Sequence, residues 1–285
     1  MIYLNRMNYT CFNGKILPSD QPVLHASNRG YRYGDGLFET MKILRDKIIL
    51  EDLHFKRFYS GLQFLKIGLP STVTADRLMD EIKTLCGKNK CGELARVRLS
   101  VSRGDGGLYE GGTKPDYVIE CWPLDVSANM LNENGLVVDI FPDSRKSIDK
   151  FSGLKSASFQ PYVMAALFAK EQKLNDCLLL NSADRIADST IANLFLVMDG
   201  RISTPALSEG CVAGVMRDHL ITALGREGQL VSETAISGDD LTAADEVFLT
   251  NAIKGIRWVR QCRKKSYTNQ LTVKIYDQFV KTLLI

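Results

Sequence analysis

Period-two and helix-period stretches of this 285-residue chain do not take turns; they come in clusters. A strand-like run from Leu37 to Ile43 meets a turn at Arg45-Asp46-Lys47 and returns over Lys47 to Leu50, which predicts a hairpin. Two helix patterns follow with no strand between them. In the first, Leu53 to Ile67, apolar residues recur at Phe55, Phe58, Leu62 and Leu65. The second runs from Thr74 to Cys86, with Ser71, Thr72 or Thr74 as its N-cap. Then "ARVRLSVS" and "DYVIECW" arrive as two strands in succession. Beyond them come the strand "GLVVDIF", a helix from about Ser158 to Lys173, the short strands "DCLLLN", "RIADS" and "NLFLVMDGRIS", and a helix opening after Gly214. Strict alternation would predict a doubly wound sheet; clustering predicts α+β. Periodicity lapses from Pro123 to Asn134, so the expected division is a domain over 1–122, a linker over 123–134 and a second domain over 135–285.

With 45% hydrophobic residues the chain can bury cores for two domains. Its 36 basic and 33 acidic residues leave a net charge of +3, a balance that supplies no broad field for nucleic acid or an anionic membrane. A small molecule is the expected partner. "KGIRWVRQCRKK", Lys254 to Lys265, clusters basic residues around Trp258, and its ordinary reading is a solvated face. Seven scattered cysteines with no C-x-x-C pair, beside only three histidines, read as reduced thiols without a metal site. The start "MIYLNRMNYT" lacks the build of a signal peptide and no apolar run approaches the roughly 20 residues of a membrane span, so a soluble cytoplasmic protein is expected.

Candidate chemistry begins at Lys155 in "FSGLKSASFQ", where a flexible Ser-Gly pair gives way to a helix pattern. Desolvation lowers an ammonium's pKa and leaves the free amine that Schiff-base chemistry needs; the ordinary alternative is a snorkelling lysine. Asp188 in "RIADSTIANLF" is either a turn cap or a carboxylate that keeps a cofactor's ring nitrogen protonated. Arg57 shares a helix stripe with Gly61 and Phe64, from which a guanidinium can grip phosphate in fork geometry. The helix start at Val215 and Met216 offers backbone N–H groups to the same anion. In "ARVRLSVSRG" the two-residue period puts Arg96, Arg98, Ser100 and Ser102 on one face, where arginines suit a carboxylate.

Six blocks, "RGYRYGDGLFETMKI", "LHFKRF", "GLKS", "ADSTIANLF", "GVMRD" and "ADEVFLTNA", occur in order over nearly the whole chain. Together they resemble the class IV pyridoxal-phosphate aminotransferases, a family holding branched-chain and D-amino-acid transaminases and 4-amino-4-deoxychorismate lyase. The resemblance implies a D-amino-acid aminotransferase-like fold, with a small N-terminal α/β domain, a larger C-terminal domain of strands and helices, and pyridoxal 5'-phosphate in the cleft. It makes Lys155 the catalytic lysine that condenses with the cofactor's aldehyde, and Asp188 the partner of the ring nitrogen where the family carries glutamate. Arg57 and the backbone of Val215, Met216, Asn251 and Ala252 become the phosphate site, although transaminases often carry threonine where Met216 and Ala252 stand. Phe38, Glu39 and Arg98 fall on the substrate side, and a homodimer is implied.

The expected activity is transfer of an amino group between an amino acid and a 2-oxo acid. The alternative is the lyase reaction on 4-amino-4-deoxychorismate, releasing pyruvate and 4-aminobenzoate; "SRGDGGLY", "IANLF" and "TNA" resemble that branch, and Gln160 stands where branched-chain transaminases have tyrosine. A non-catalytic holder of the cofactor is the third reading.

Overall fold

The computed structural model describes residues 8–110 and 114–284. Most of the amino-terminal stretch read for a targeting signal lies outside the described residues, as do two glycines of "GDGGLYEGG". The chain forms two compact units: one runs through Ala128 and takes in Lys155–Ser158, the other holds Asn129–Leu154 and Phe159–Ile285. The division between Ala128 and Asn129 falls inside the 123–134 stretch, and the short Lys155 segment leaves its sequence neighbours to join the first unit.

The first unit contains β1 (Tyr9–Phe12), β2 (Lys15–Pro18), α1 (Arg29–Tyr33), β3 (Gly36–Leu44), β4 (Lys47–Ile48), α2 (Glu51–Phe64), α3 (Ala75–Lys88), β5 (Leu94–Ser102) and β6 (Asp116–Pro123). Its strands make one sheet in the order β2-β1-β6-β5-β3-β4, every pair antiparallel. Arg45 and Asp46 both take positive φ, 49° and 59°, so the β3–β4 hairpin closes through the mirror-image turn whose twist matches the strands. Thr74 caps α3 by accepting from the Arg77 N–H. Positive φ at Lys66 stops the α2 stretch short of the expected Ile67. Alternation along β5 buries Val97, Leu99 and Val101, which pack with Met41, Phe58, Leu78, Ile82 and Leu85 beneath α2 and α3. Burying a side chain the size of Phe58 contributes about 2–3 kcal/mol.

The second unit contains β7 (Leu136–Lys146), α4 (Gln160–Glu171), β8 (Asp176–Asn181), β9 (Ile186–Ser189), β10 (Asn193–Met198), β11 (Arg201–Pro205), α5 (Val215–Arg226), β12 (Val231–Thr234), α6 (Gly238–Ala243), β13 (Glu246–Asn251), β14 (Gly255–Cys262), β15 (Lys265–Ser266) and α7 (Gln270–Ile275). The sheet runs β12-β11-β10-β13-β14-β7-β8-β9, with β15 on β14, and mixes parallel with antiparallel pairs. Pro161 sits in the first turn of α4, where its missing N–H costs nothing. The basic stretch around Trp258 is largely β14, an interior strand between β13 and β7. Ile256, Val259 and Cys262 are buried there, and the Trp258 indole donates to the Asn132 carbonyl. No described helix is long and apolar enough to cross a membrane.

Candidate active site

In the first unit, Lys155 is drawn onto the free edge of β3. The Phe38 N–H donates to the Lys155 carbonyl at 2.9 Å, the Ala157 N–H donates to Gly36 at 2.9 Å, and Leu37 and Ser156 form an antiparallel bridge. This pairing needs Gly36 to lie flush against β5: a Cβ there would meet the Val101 carbonyl oxygen at 2.1 Å. The Lys155 ammonium nitrogen lies 4.5 Å from the centre of the Phe38 ring, and the Arg98 guanidinium lies 3.7 Å from the same ring. Register explains the trio, because Arg98 opposes Thr40, two residues along the same face from Phe38.

Glu39, expected beside Phe38 on the substrate side, points to the opposite face of β3, as neighbours on a strand must. There it takes a two-pronged grip from Arg57, Nε to Oε1 at 2.7 Å and Nη2 to Oε2 at 2.5 Å, and accepts from His54 Nδ1 at 2.7 Å. Burial acts to raise the Glu39 pKa, but the Arg57 charge and the His54 and Arg57 hydrogen bonds outweigh it and bring the carboxyl down to about 2. Burial first, opposed by the Glu39 hydrogen bond and joined by the charges of Arg57 and Lys155, pushes His54 below its ordinary range. Its Nε2 is buried with no hydrogen-bond partner. Sequence reading passed over His54, although its place three residues before Arg57 on one helix face is a legible signal.

In the second unit, Asp188 at the end of β9 is 2% exposed. Its Oδ2 accepts from Lys146 Nζ at 3.1 Å, from the Tyr162 hydroxyl at 3.1 Å and from the Val212 N–H at 3.0 Å. Its Oδ1 is equally buried and has no hydrogen-bond partner. Lys146 also donates to the Tyr162 oxygen, and burial together with the Asp188 charge raises the Tyr162 pKa, so the phenol keeps the proton it donates. The backbone around Val212 leads into α5. Asn193 on β10 donates to the Val212 carbonyl at 2.8 Å, and a Cβ on Gly214 would strike Asn193 Oδ1 at 1.9 Å.

Val215 and Met216 are buried in the first turn of α5, whose N-cap Gly214 brings no side-chain oxygen. Helix geometry leaves first-turn N–H groups without an acceptor four residues back. Opposite Asn193 on β13 stands Thr250, with a buried hydroxyl that has no hydrogen-bond partner; Asn251 next to it accepts from the Ile253 and Lys254 N–H groups and closes the turn carrying Ala252. Lys146, Tyr162, Asn193 and Thr250 were all missed from sequence.

The expected residues therefore gather in two constellations. Lys155, Phe38, Arg98, Glu39 and Arg57 belong to the first unit, and Asp188, Val215, Met216, Asn251 and Ala252 to the second. A carboxylate with one oxygen anchored and the other buried and bare is fitted to a protonated ring nitrogen, the group pyridoxal phosphate would bring.

Comparison with known proteins agrees with that chemistry. Residues 36–262 match the family model described as amino-transferase class IV. An aminodeoxychorismate lyase of Vibrio harveyi is 29% identical over 233 residues, covering 80% of this chain and 83% of that protein. A branched-chain-amino-acid aminotransferase of Arabidopsis thaliana is 26% identical over 282 residues, covering 94% and 75%. Among solved structures, the 4-amino-4-deoxychorismate lyase of Pseudomonas aeruginosa superposes with a TM-score of 0.83 at 27% identity, covering 97% of this chain and 100% of that one. The chain belongs to the class IV aminotransferases, a family of pyridoxal-phosphate-dependent enzymes.

Proposed function

We propose that this member of the family moves an amino group between an amino acid and a 2-oxo acid. The observation that carries the reading is the asymmetry of Asp188: Oδ2 takes three donors and Oδ1 takes none. Leaving a buried acceptor unsatisfied costs about 1–3 kcal/mol, a cost that a bound partner relieves. When bound, pyridoxal phosphate supplies an aldehyde that condenses with amines and a ring that draws electrons from the carbon beside the nitrogen.

In this reading Lys155 Nζ would hold the cofactor's aldehyde, and the same amine is the group that would move the proton at the substrate carbon. Asp188 Oδ1 keeps the ring nitrogen protonated, while Lys146 and Tyr162 anchor the carboxylate in place of the extra methylene that glutamate would bring. Arg57 and the backbone N–H groups of Val215, Met216, Asn251 and Ala252 hold the phosphate. Glu39 then acts through Arg57 by fixing its guanidinium plane. Arg98 and Phe38 face the substrate, with Arg98 suited to a carboxylate.

Purified protein is expected to be yellow, and borohydride to fix the colour covalently in the wild type but not in Lys155→Ala. An amino donor is expected to bleach the band and a 2-oxo acid to restore it. Colour that no amino donor bleaches would sink the reading and leave a silent holder of the cofactor. The second reading, lyase action on 4-amino-4-deoxychorismate, draws on the Ser102–Tyr109 wording and on the Vibrio and Pseudomonas relatives. Pyruvate appearing together with 4-aminobenzoate in an end-point assay, with no turnover on a panel of D- and L-amino acids, decides for it. The proposal includes a cytoplasmic homodimer, supported by the family resemblance and by seven cysteines all carried as free thiols; light scattering on the eluted protein tests the dimer.

A further inference from the structure

Three of the seven cysteines, two of them five residues apart and the third thirty residues further on, meet in the first unit. Cys86 lies in the last turn of α3, Cys91 just beyond it, and Cys121 on β6; they are 0%, 4% and 1% exposed. Their sulfurs all lie within 4.8 Å of one another, with Cys91 and Cys121 at 3.6 Å. Among the described residues this is the one group of three or more His, Cys, Asp or Glu placed to share an ion.

Backbone and side chains outside the cluster hold the geometry. The chain turns through a positive φ at Lys90, and the Cys91 N–H donates to the Cys86 carbonyl at 3.0 Å, folding the loop back onto the helix. The Asn89 amide donates to Cys121 Sγ at 3.2 Å and to the Tyr9 carbonyl at 2.9 Å, and its oxygen accepts from the N–H groups of Asn8 and Tyr9. A helix end, a loop and a strand thus present three sulfurs to one point.

Charge decides which ion suits them. All three sulfurs belong to buried side chains, so a net charge on the finished complex would be costly. Three thiolates around a monovalent or divalent ion would carry a net negative charge into buried surroundings, and zinc would also want a fourth ligand. A trivalent ion with three thiolates is neutral. Sulfur donors select soft ions.

We propose that Cys86, Cys91 and Cys121 form a binding site for a soft trivalent ion of the arsenite class, taken up as its neutral hydroxide. The exchange balances without oxidant or reductant: As(OH)₃ and three thiols give As(SR)₃ and three waters. Three As–O and three S–H bonds break, and three As–S and three O–H bonds form. The protons leave as water, and arsenic stays trivalent.

The probe is sodium arsenite added to the intact protein in a phosphine reductant. Desalted wild type is expected to retain one arsenic per chain, and its native mass to rise by one arsenic less three protons. Retention is expected to fall about a hundred-fold in each of Cys86→Ala, Cys91→Ala and Cys121→Ala, because losing one arm removes its effective concentration, and to persist in Cys11→Ala. Should a variant fail to fold, the wild type is mapped instead: arsenite is expected to protect Cys86, Cys91 and Cys121 from slow alkylation and to leave Cys11 and Cys177 unchanged. No retained arsenic, equal loss in Cys11→Ala, or protection at other cysteines overturns the site.

Discussion

Asp188 is buried, and its Oδ2 lies 3.1 Å from the Lys146 ammonium nitrogen. Replacing Lys146 with Met leaves a buried carboxylate without its cation, a change expected to cost about 3–5 kcal/mol in urea unfolding. Tyr162→Phe removes one hydrogen bond of the same set and is expected to cost about 1–2 kcal/mol. The two losses are expected to add to less than their sum in the double variant, since both act on Oδ2. Asp188→Asn tests the chemistry: a neutral amide does not hold the ring proton, so kcat is expected to fall by about 10²-fold or more while KM for the amino donor moves little. A large KM change with unaltered kcat would instead mark Asp188 as a substrate-binding group. The motif made Asp188 legible in sequence. Lys146 and Tyr162, separated from it by 42 and 26 residues, left no local trace, because the contact is made by three elements meeting rather than by any spacing along one of them.

The Glu39–Arg57–His54 cluster bolts β3 to α2, and its titration is a property of that joint. Glu39 ionises at an ordinary 4.5 in the unfolded chain and at about 2 when folded. Its contribution is therefore complete above pH 4.5 and is lost as pH falls from there toward 2, about 3 kcal/mol in all. His54 is depressed in the folded state, so the unfolded chain takes up the proton first as pH drops through its ordinary 6.5, and stability falls in that window too. Both signs agree. The urea midpoint is expected to decline steadily from pH 7 to pH 4, and Glu39→Gln to flatten the lower limb; a midpoint that rises on acidification would contradict the cluster. On the other side of β3, Gly36→Ala drives a Cβ toward a backbone oxygen that has nowhere to go. A loss of about 3 kcal/mol or more is expected, with borohydride fixation of colour reduced because the Lys155 segment pairs with the Gly36 carbonyl. Periodicity made β3, β5 and both helices readable to within three residues at their ends. The side to which Glu39 points followed from the same period, once β3 was known to carry helices on that face.

At the scale of the molecule, seven free cysteines imply a chain whose stability owes nothing to disulfides. Thermal unfolding is expected to be the same with and without a reductant, and seven thiols to titrate in denaturant without prior reduction; fewer would reveal a bridge formed after folding. Clustering of strand and helix periods along the chain was enough to call α+β, and six motif blocks in order were enough to call the family, because both are local statements repeated many times. No local pattern announces that Lys155–Ser158 is carried back to the first unit by pairing with β3. The same limit hid the sulfur cluster, whose third member, Cys121, comes from a strand thirty residues beyond Cys91, and the bare oxygen of Asp188. Burial, hydrogen-bond satisfaction and the company a charge keeps depend on which distant segments arrive at one point, and only the folded chain decides that.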